Sequence, residues 1–250
     1  MITRPCFACG VPVEGDDLTA YGLAGLAHVR AAHAEMPYPD MAVRNDFEGA
    51  VRMTGDADRL ERIGAVEIHP VTADRIDDWL AFFDRDAMVG NPENAGCYCF
   101  EPHELVPHQP QPAIGHWRDR RATMVDLLGR GAAFGYLAYV DGRPAGWVSA
   151  ARRGDYTLFR RGDDVDGTTV SVACFAIAPP YRGHGLARRL LDRVVADAGE
   201  RGAAAVEAYP PNADVPSGRN FRGARAMYDD AGFTEVTIRL RDTVVRRPAS

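Results

Sequence analysis

The stretch that most constrains the fold is an apolar run, TTVSVACFAIA, followed at once by PPYRGHGLARRLL. The apolar run has the length of a buried strand, and the segment after Gly185 predicts a long amphipathic helix. The first turn of such a helix has free N–H groups and a partial positive charge, which suit an anion such as a pyrophosphate. Gly183 and Gly185 let the backbone adopt positive φ and approach that anion. Arg182, Arg188 and Arg189 add bidentate donors.

Two common phosphate-binding loops do not match this stretch. The dinucleotide-binding pattern G-x-G-x-x-G/A needs glycine or alanine where the chain has Arg188. The P-loop needs a Gly-Lys pair, and the chain contains no lysine. An ordinary strand–helix turn with solvated arginines is the alternative. The residues by themselves therefore indicate an anion site without identifying its ligand.

Two motifs in this half of the chain resemble those of the GNAT acyltransferase superfamily. RGHGLA fits the pattern R/Q-x-x-G-x-G/A, with Arg182, Gly185 and Ala187 at the defining positions, and A-x-x-x-Y-x-x-x-G-F follows at Ala224–Phe233. The resemblance extends from about Val66 to Val245. It implies an α+β fold with a mixed, mostly antiparallel central sheet and flanking helices. It also implies an N-acetyltransferase that passes an acyl group from acetyl-CoA, or another acyl-CoA, directly to an amine.

The same resemblance assigns the cofactor-binding residues. It places the pantetheine arm along Phe175, Ala176 and Ile177, and the pyrophosphate on Arg182, Gly183, His184, Gly185, Leu186 and Ala187. Relatives often have a cofactor-contacting asparagine at the start of the last helix. This chain has Phe221 there, with Asn220 one residue earlier, so that contact is in doubt.

Direct transfer from a thioester needs a neutral amine and a stabilised leaving thiolate, because the thioester is already activated. A primary amine has a pKa of about 10.4, so it needs a base or a desolvating pocket at neutral pH. The resemblance makes Tyr228 the candidate acid that hydrogen-bonds the thiolate, and a packed helical tyrosine is the alternative. The strand SVACFAI has no carboxylate, which leaves Glu207 on the neighbouring strand as the candidate base. An exposed glutamate at a strand end is the alternative.

A second group of chemistry-bearing residues lies near the start of the chain. Cys6, Cys9, His28 and His33 follow the pattern C-x2-C-x18-H-x4-H, and four nitrogen or sulfur ligands suit tetrahedral zinc. A redox-active C-x-x-C and two solvent-facing histidines are the alternatives. The segment resembles a small zinc-binding domain found in bacterial proteins, and a metal would help so short a segment to stay folded. We therefore predict a zinc-stapled helical module at residues 1–55.

A connector at residues 56–64 leads from this module to the acyltransferase domain at 65–250. Within that domain, the sequence predicts a hairpin at VDGRP, a helix over FRGARAMYDDAGF and one closing strand, TEVTIRLRDTVV. A long Pro-rich segment carries Cys97, Cys99, His103 and His108. These residues predict either a second metal site or a buried or substrate-facing pair of thiols.

Composition excludes several classes of partner. The 29 basic and 35 acidic residues give a formal net charge of −6, which disfavours bulk nucleic-acid binding. No apolar stretch reaches the roughly 20 residues that span a bilayer, and the five cysteines are not spaced as a secreted disulfide framework. We predict a cytoplasmic protein that binds an acyl-CoA and a small-molecule or peptide amine, but neither nucleic acid nor membrane. Glu101 and Glu104 hint at a cationic amine, and a homodimer stays open.

Three functions compete at this point. An acyl-CoA-dependent N-acyltransferase explains the glycine loop and Tyr228, and it predicts release of CoA. A non-catalytic acyl-CoA sensor or scaffold explains the missing strand carboxylate and the metal module, and it predicts binding without release. A zinc-dependent binding module with a degenerate second domain predicts that acyl-CoA is irrelevant.

Overall fold

The computed structural model describes residues 1–36, 38, 40–52, 62–91, 94–104, 117–159, 167–216 and 219–249. The helices are α1 (Leu18–Ala32), α2 (Asp40–Arg52), α3 (Ile76–Arg85), α4 (Trp117–Gly129), α5 (Leu186–Glu200) and α6 (Arg225–Asp230). The strands are β1 (Ile2–Pro5), β2 (Pro12–Gly15), β3 (Val66–Pro70), β4 (Gly135–Val140), β5 (Arg143–Arg152), β6 (Thr169–Ile177), β7 (Ala205–Ala208), β8 (Thr234–Ile238) and β9 (Thr243–Pro248). In the part of the chain so described, no helix is long and apolar enough to cross a membrane.

Strands β3 to β9 form one mixed sheet in the order β3-β4-β5-β6-β7-β9-β8. Each neighbouring pair is antiparallel except β6 and β7, which run parallel. A parallel pair requires a crossover connection, and α5 supplies it. The predicted α+β architecture, with a mostly antiparallel sheet and flanking helices, is confirmed.

The two parallel strands diverge near their carboxyl ends. Their ladder ends where Val172 lies beside Ala208, whereas β6 continues along β5 until Ile177 lies opposite Gly146. The register of β5 and β6 also shifts once along their length, and a bulge of that kind bends a strand. The last part of β6 therefore borders a gap between strands rather than β7.

The main core lies between the sheet and helices α3, α4 and α5. Trp79 of α3 packs edge to face on Trp147 of β5, with ring centroids 6.1 Å apart. On α5 the buried residues recur at helical spacing from Leu186 to Ala198, which confirms the predicted amphipathic helix. Because Leu186 is buried at the very start of α5, core packing also fixes the glycine loop that precedes it.

The N-terminal segment has a small core of its own. The β1–β2 hairpin packs with α1 and α2 around residues that include Tyr21 and Phe47. The side chain of Asp17 caps α1 by accepting a hydrogen bond from the Ala20 N–H at 2.8 Å. Helix α2 also contacts the larger domain, since the Gly90 N–H donates to Asp46 Oδ1 at 2.8 Å. Helix α2 therefore lies at the contact between the N-terminal segment and the larger domain.

Three local predictions differ from the structure. The closing segment TEVTIRLRDTVV forms two strands, β8 and β9, because Arg239 and Asp242 close a turn with an Nε–Oδ1 distance of 2.5 Å. The last helix begins only at Arg225, because the residues before it bond to β6 instead. The β1–β2 hairpin was not predicted, since its strands are only four residues long and each includes a proline.

Candidate functional site

The glycine loop between β6 and α5 borders a cavity of about 400 Å³. Gly183 and Gly185 have positive φ values of +81° and +74°, a conformation that costs other residues about 1–2 kcal/mol. Gly185 is the N-cap of α5, and no side chain caps the helix. The first N–H groups of α5 are thus left for an anion. Most of the predicted cofactor-binding residues line this cavity, namely Phe175, Ile177, Arg182, Gly183, Gly185, Leu186 and Ala187.

Two predicted cofactor residues, Ala176 and His184, are not among those that line the cavity. Ala176 is buried opposite Trp147 of β5. His184 belongs to the loop, and its buried Nε2 has no hydrogen-bond partner among the described residues. Their contact with a cofactor stays a prediction.

Two arginines of the loop region have protein partners. Arg182 donates from Nε to the Ile177 carbonyl at 2.8 Å, and burial lowers the pKa of its guanidinium from the usual value. It therefore ties the loop to the end of β6. Arg188 lines the cavity while its Nε bonds Asp192 one turn along α5 at 2.8 Å. Arg182 and Arg188 both line the cavity and contribute positive charge to its wall.

The segment before α6 enters the gap beside β6. The Phe175 N–H donates to the Phe221 carbonyl at 2.7 Å, and Arg222 donates from Nη1 to the Ala173 carbonyl at 2.9 Å. Phe175 was predicted to offer its backbone to a pantetheine arm, but in this structure its N–H already has a protein partner. The segment therefore lies along the last part of β6, where β7 no longer pairs with that strand.

Tyr228 lies behind this segment and is fully buried. Its hydroxyl donates to the Arg222 carbonyl at 2.7 Å, and burial raises its pKa above the usual value, so the hydroxyl keeps its proton. Tyr228 is not among the residues that line the cavity, whereas Gly223 is. A Cβ on Gly223 would lie 2.9 Å from the Tyr228 hydroxyl and 2.8 Å from Met227 Cε. A side chain at this position would therefore collide with the hydroxyl.

Glu207 is fully buried in the middle of the sheet. Its carboxylate accepts hydrogen bonds from the Tyr209 hydroxyl at 2.9 Å and from Arg246 Nη2 at 2.6 Å, and Arg153 Nη1 lies 3.5 Å away. The alternative of an exposed strand-end glutamate is wrong, because β9 and the segment after β5 cover this position. Glu207 is not among the residues that line the loop cavity.

A second cavity of about 400 Å³ lies on the other side of the segment before α6. Its wall is a stack of four groups. The rings of Phe159 and Tyr209 lie parallel with centroids 3.9 Å apart. The guanidinium of Arg222 lies 5.0 Å from the Phe159 centroid, and that of Arg239 lies 5.1 Å from the Tyr209 centroid. Cation–π contacts of this kind hold both arginines against the rings.

Arg222 is shared by both sides of the segment, and the sequence analysis did not select it. Its carbonyl accepts from Tyr228, while its guanidinium bonds β6 and, through Nη2, Glu101 Oε2 at 3.1 Å. Its position beside Phe221, where relatives carry an asparagine, is the signal that could have found it. Glu104, the other acidic residue of the Pro-rich segment, pairs with Arg120.

The cysteines of the Pro-rich segment are held as protonated thiols. Burial raises the pKa of the Cys97 thiol to about 11, and it raises the pKa of Cys99 well above its usual value. Burial also lowers the pKa of His103 to about 4, so that ring is neutral. Among the described residues these three form no metal-binding cluster, and His108 lies outside the described residues. The alternative of a buried thiol pair therefore fits better than a second metal site.

The N-terminal cysteines and histidines, by contrast, come together. One ligand atom from each of Cys6, Cys9, His28 and His33 lies within 4.8 Å of the others. Cys6 Sγ is 3.8 Å from His33 Nε2, and Cys9 Sγ is 3.3 Å from His28 Nε2. Ligands on a tetrahedral zinc ion are about 3.3–3.8 Å apart at ordinary bond lengths. The donor set and its spacing fit a four-coordinate metal ion.

Comparison with known proteins gives one match in sequence. Residues 97–233 match the profile described as the acetyltransferase (GNAT) family, which is more than half of the chain. No curated protein sequence matches the chain.

Several solved structures are similar to part of this chain. An N-acetyltransferase from Staphylococcus aureus Mu50 is 14% identical, with a TM-score of 0.47, and the match covers 75% of this chain and 100% of that one. The GNAT domain of S. lividans PAT is 17% identical, with a TM-score of 0.49, over 74% of this chain and 91% of its own. The paia N-acetyltransferase from Thermoplasma acidophilum, in complex with coenzyme A, is 11% identical, with a TM-score of 0.47, over 74% and 99%. At these scores the likenesses carry no argument about activity.

Proposed function

The chain belongs to the acetyltransferase (GNAT) family, and from that premise we propose how its own residues move an acetyl group from acetyl-CoA to an amine. The protein is an acyl-CoA-dependent N-acyltransferase. The observation that carries the assignment of its donor site is the glycine loop, whose positive-φ backbone and uncapped helix start border a cavity. We place the pyrophosphate on the loop of residues 182–187 and the pantetheine arm along Phe175 and Ile177. The Arg182 N–H already donates to the Pro179 carbonyl at 3.2 Å, so the N–H groups after it are the proposed donors.

The reaction joins the amine nitrogen to the thioester carbon and breaks the C–S bond. The nitrogen lone pair forms the amide, the sulfur leaves with the bonding pair, and the nitrogen loses one proton while the thiolate gains one. With ordinary pKa values of about 8.5 for a thiol and 10 for a phenol, full proton transfer to the thiolate is uphill by roughly 2 kcal/mol. Burial raises the pKa of Tyr228, which makes the transfer more unfavourable still. Tyr228 therefore keeps its proton and donates a hydrogen bond to the developing charge, and the thiolate takes its proton from water.

Acetyl-CoA must compete with two protein contacts to reach this position. The Phe175 N–H has to exchange the Phe221 carbonyl for a pantetheine oxygen. The Tyr228 hydroxyl has to turn from the Arg222 carbonyl towards the sulfur, past Gly223. Each exchange gives the donor a new partner but takes the present donor from the Phe221 or Arg222 carbonyl. The contacts of bound acetyl-CoA therefore have to offset the loss at these two carbonyls.

We expect Tyr228→Phe to lower kcat by about 10- to 100-fold, because a charge-assisted hydrogen bond to the leaving sulfur is lost from the transition state. The dissociation constant of acetyl-CoA should change less than about threefold, since the ring and its packing remain. Steady-state kinetics and calorimetric titration measure the two quantities. An unchanged kcat would leave Tyr228 as the packed helical tyrosine of the alternative interpretation.

The function itself is tested by two measurements on the full chain. Isothermal titration with acetyl-CoA should give saturable binding, and a panel of amines should then be screened for release of the free CoA thiol. Binding together with release from at least one amine supports the transferase. Binding without release from any amine would support the sensor hypothesis, and no binding of any acyl-CoA would contradict the assignment.

We also propose that Cys6, Cys9, His28 and His33 hold a structural zinc ion. The ligand distances fit a tetrahedral site, and the Ala8 N–H lies 3.4 Å from Cys6 Sγ, where it would stabilise a thiolate. The role is structural because four protein ligands leave no open position for a substrate. Elemental analysis of the purified chain should find about one equivalent of zinc, and less than about half an equivalent would count against the site.

The division of the chain at 1–55, 56–64 and 65–250 belongs to the same proposal. The N-terminal unit has a separate core and its own ligand cluster, and it contacts the transferase domain through α2. Cytoplasmic location, a homodimer and the absence of nucleic-acid binding stay predictions from the sequence.

A further inference from the structure

We propose that the acceptor is a small primary amine that also carries a carboxylate, of the class of the neutral α-amino acids. We infer that it binds in the second cavity, with its amine on Glu101 and its carboxylate on Arg241. This inference rests on the proposed function, because it names the substrate that the donor site would acetylate. The sequence pointed only to a cationic amine, whereas the ligand proposed here carries both an ammonium group and a carboxylate.

The position of the second cavity follows from Arg222. Its guanidinium bonds the Ala173 carbonyl of β6 and the carboxylate of Glu101, while its own carbonyl accepts from Tyr228. The guanidinium of Arg222 thus links Glu101 to β6, the strand along which the pantetheine arm is proposed to lie. In this proposal the amine on Glu101 reaches the thioester past Arg222, from the side of the segment that faces the second cavity.

Glu101 has the capacity to take an amine. Only its Oε2 is bonded to Arg222, and within the described residues Oε1 has no hydrogen-bond partner. Its side chain is 35% exposed, so that oxygen is reachable. Glu207, the base predicted from sequence, has its oxygens bonded by Tyr209 and Arg246 and is fully buried. Glu101 is therefore the better placed carboxylate to hold the ammonium and to accept the proton that it loses.

Arg239, Arg241 and Asp242 also line this cavity. Arg239 is neutralised by Asp242 and stacked on Tyr209. Arg241 lines the cavity with an exposed side chain, and no described residue pairs with its guanidinium. A guanidinium of this kind binds a carboxylate with two parallel hydrogen bonds. The cavity therefore offers the second carboxylate oxygen of Glu101 and the guanidinium of Arg241 to one ligand.

Part of the wall of the second cavity is apolar. Leu158, Phe159 and Leu240 line it together with the ring of Tyr209. Such a wall favours an amino acid with an aliphatic or aromatic side chain over a polyamine, whose second ammonium would meet Arg241. The ring stack and its two flanking arginines also keep the wall rigid, since each arginine is fixed by a carboxylate.

The test compares matched acceptors by the release of the CoA thiol. L-phenylalanine is compared with phenethylamine, and L-leucine with isoamylamine, so that each pair differs only in the carboxylate. We expect the amino acids to be acetylated with a kcat/KM at least about 10-fold higher than the decarboxylated amines. Arg241→Ala should remove most of that preference by raising KM for the amino acids. The kcat/KM for the decarboxylated amines should stay the same, since they have no carboxylate to bind.

Glu101→Gln should lower kcat/KM by about 30-fold or more for both members of a pair, because the amine loses its charged partner. Its acetyl-CoA affinity should be unchanged, which shows that the fold and the donor site persist. Glu104→Gln is the matched control, as it makes the same change three residues away at a carboxylate that pairs with Arg120. It should retain wild-type kinetics.

Several results would overturn the inference without touching the proposed function. These are CoA release with amines that is indifferent to their carboxylate, acetylation of peptides or polyamines alone, or a Glu101→Gln variant with wild-type rates. Acetyl-CoA binding without CoA release from any acceptor would overturn both the inference and the catalytic function. No acetyl-CoA binding at all would point to failure at the donor site.

Discussion

A Gly185→Trp variant is expected to lose at least about 100-fold in acetyl-CoA affinity, or about 2.7 kcal/mol. Gly185 is the αL N-cap of α5, and the space around its Cβ position is open because it belongs to the donor cavity. An indole there would occupy the position of the pyrophosphate and separate it from the first N–H groups of the helix. Isothermal titration with acetyl-CoA measures the loss.

Gly202→Trp is the matched control for the backbone strain of that change. Gly202 follows the other end of α5, has a φ of +75° against +74° for Gly185, and likewise has no atom within 4 Å of its Cβ position. Both variants therefore pay the same conformational cost at an exposed turn, but only Gly185 borders the cavity. Equal acetyl-CoA affinities for the two variants would show that the loop does not bind the pyrophosphate.

Local patterns predicted an anion site at the glycine loop, and the resemblance to the acetyltransferase (GNAT) family supplied its ligand and the cofactor-binding residues. The apolar run, the two glycines and the helix after them are consecutive in the chain, so their geometry follows from strand and helix rules without knowledge of the rest. The structure brings the residues predicted for the pyrophosphate and the pantetheine arm into one cavity, apart from Ala176 and His184. The spacing of the N-terminal cysteines and histidines was equally informative, since ligand geometry restricts where they can lie.

The acceptor side could not be predicted in the same way. Glu101 and Arg222 are 121 positions apart, and their pairing depends on how the Pro-rich segment and the segment before α6 meet at β6. The burial of Glu207 depends in turn on β9, which pairs with β7 only after the closing segment turns back at Arg239. Periodicity placed Glu207 on a strand but did not show which side chains would surround it.

Removal of the metal is expected to unfold the N-terminal unit while the transferase domain stays folded. The core of this unit has few members, among them Tyr21, Val29 and Phe47, and it includes two glycines of α1 that contribute no apolar side chain. Structural zinc contributes about 10–16 kcal/mol of apparent binding free energy in small zinc-binding peptides at neutral pH. The burial of so small a core stabilises the unit by less than this amount. Helices α1 and α2 should therefore unfold when a chelator removes the metal. Circular dichroism should record the loss of helix, and limited proteolysis should cut within residues 1–52.

Cys6→Ser should reproduce this loss without a chelator, because Cys6 is the buried ligand of the four. Cys97→Ser is the matched control, since it replaces another cysteine that lies outside the cluster, and it should keep both the zinc and the helix content. The loss should also reach the acceptor side, because Asp46 of α2 fixes the Gly90 N–H at the start of the segment that leads to Glu101. We therefore expect Cys6→Ser to raise the acceptor KM more than it changes the acetyl-CoA affinity. A variant that keeps full zinc content, or that melts as the wild type does, would contradict the structural role of the four ligands.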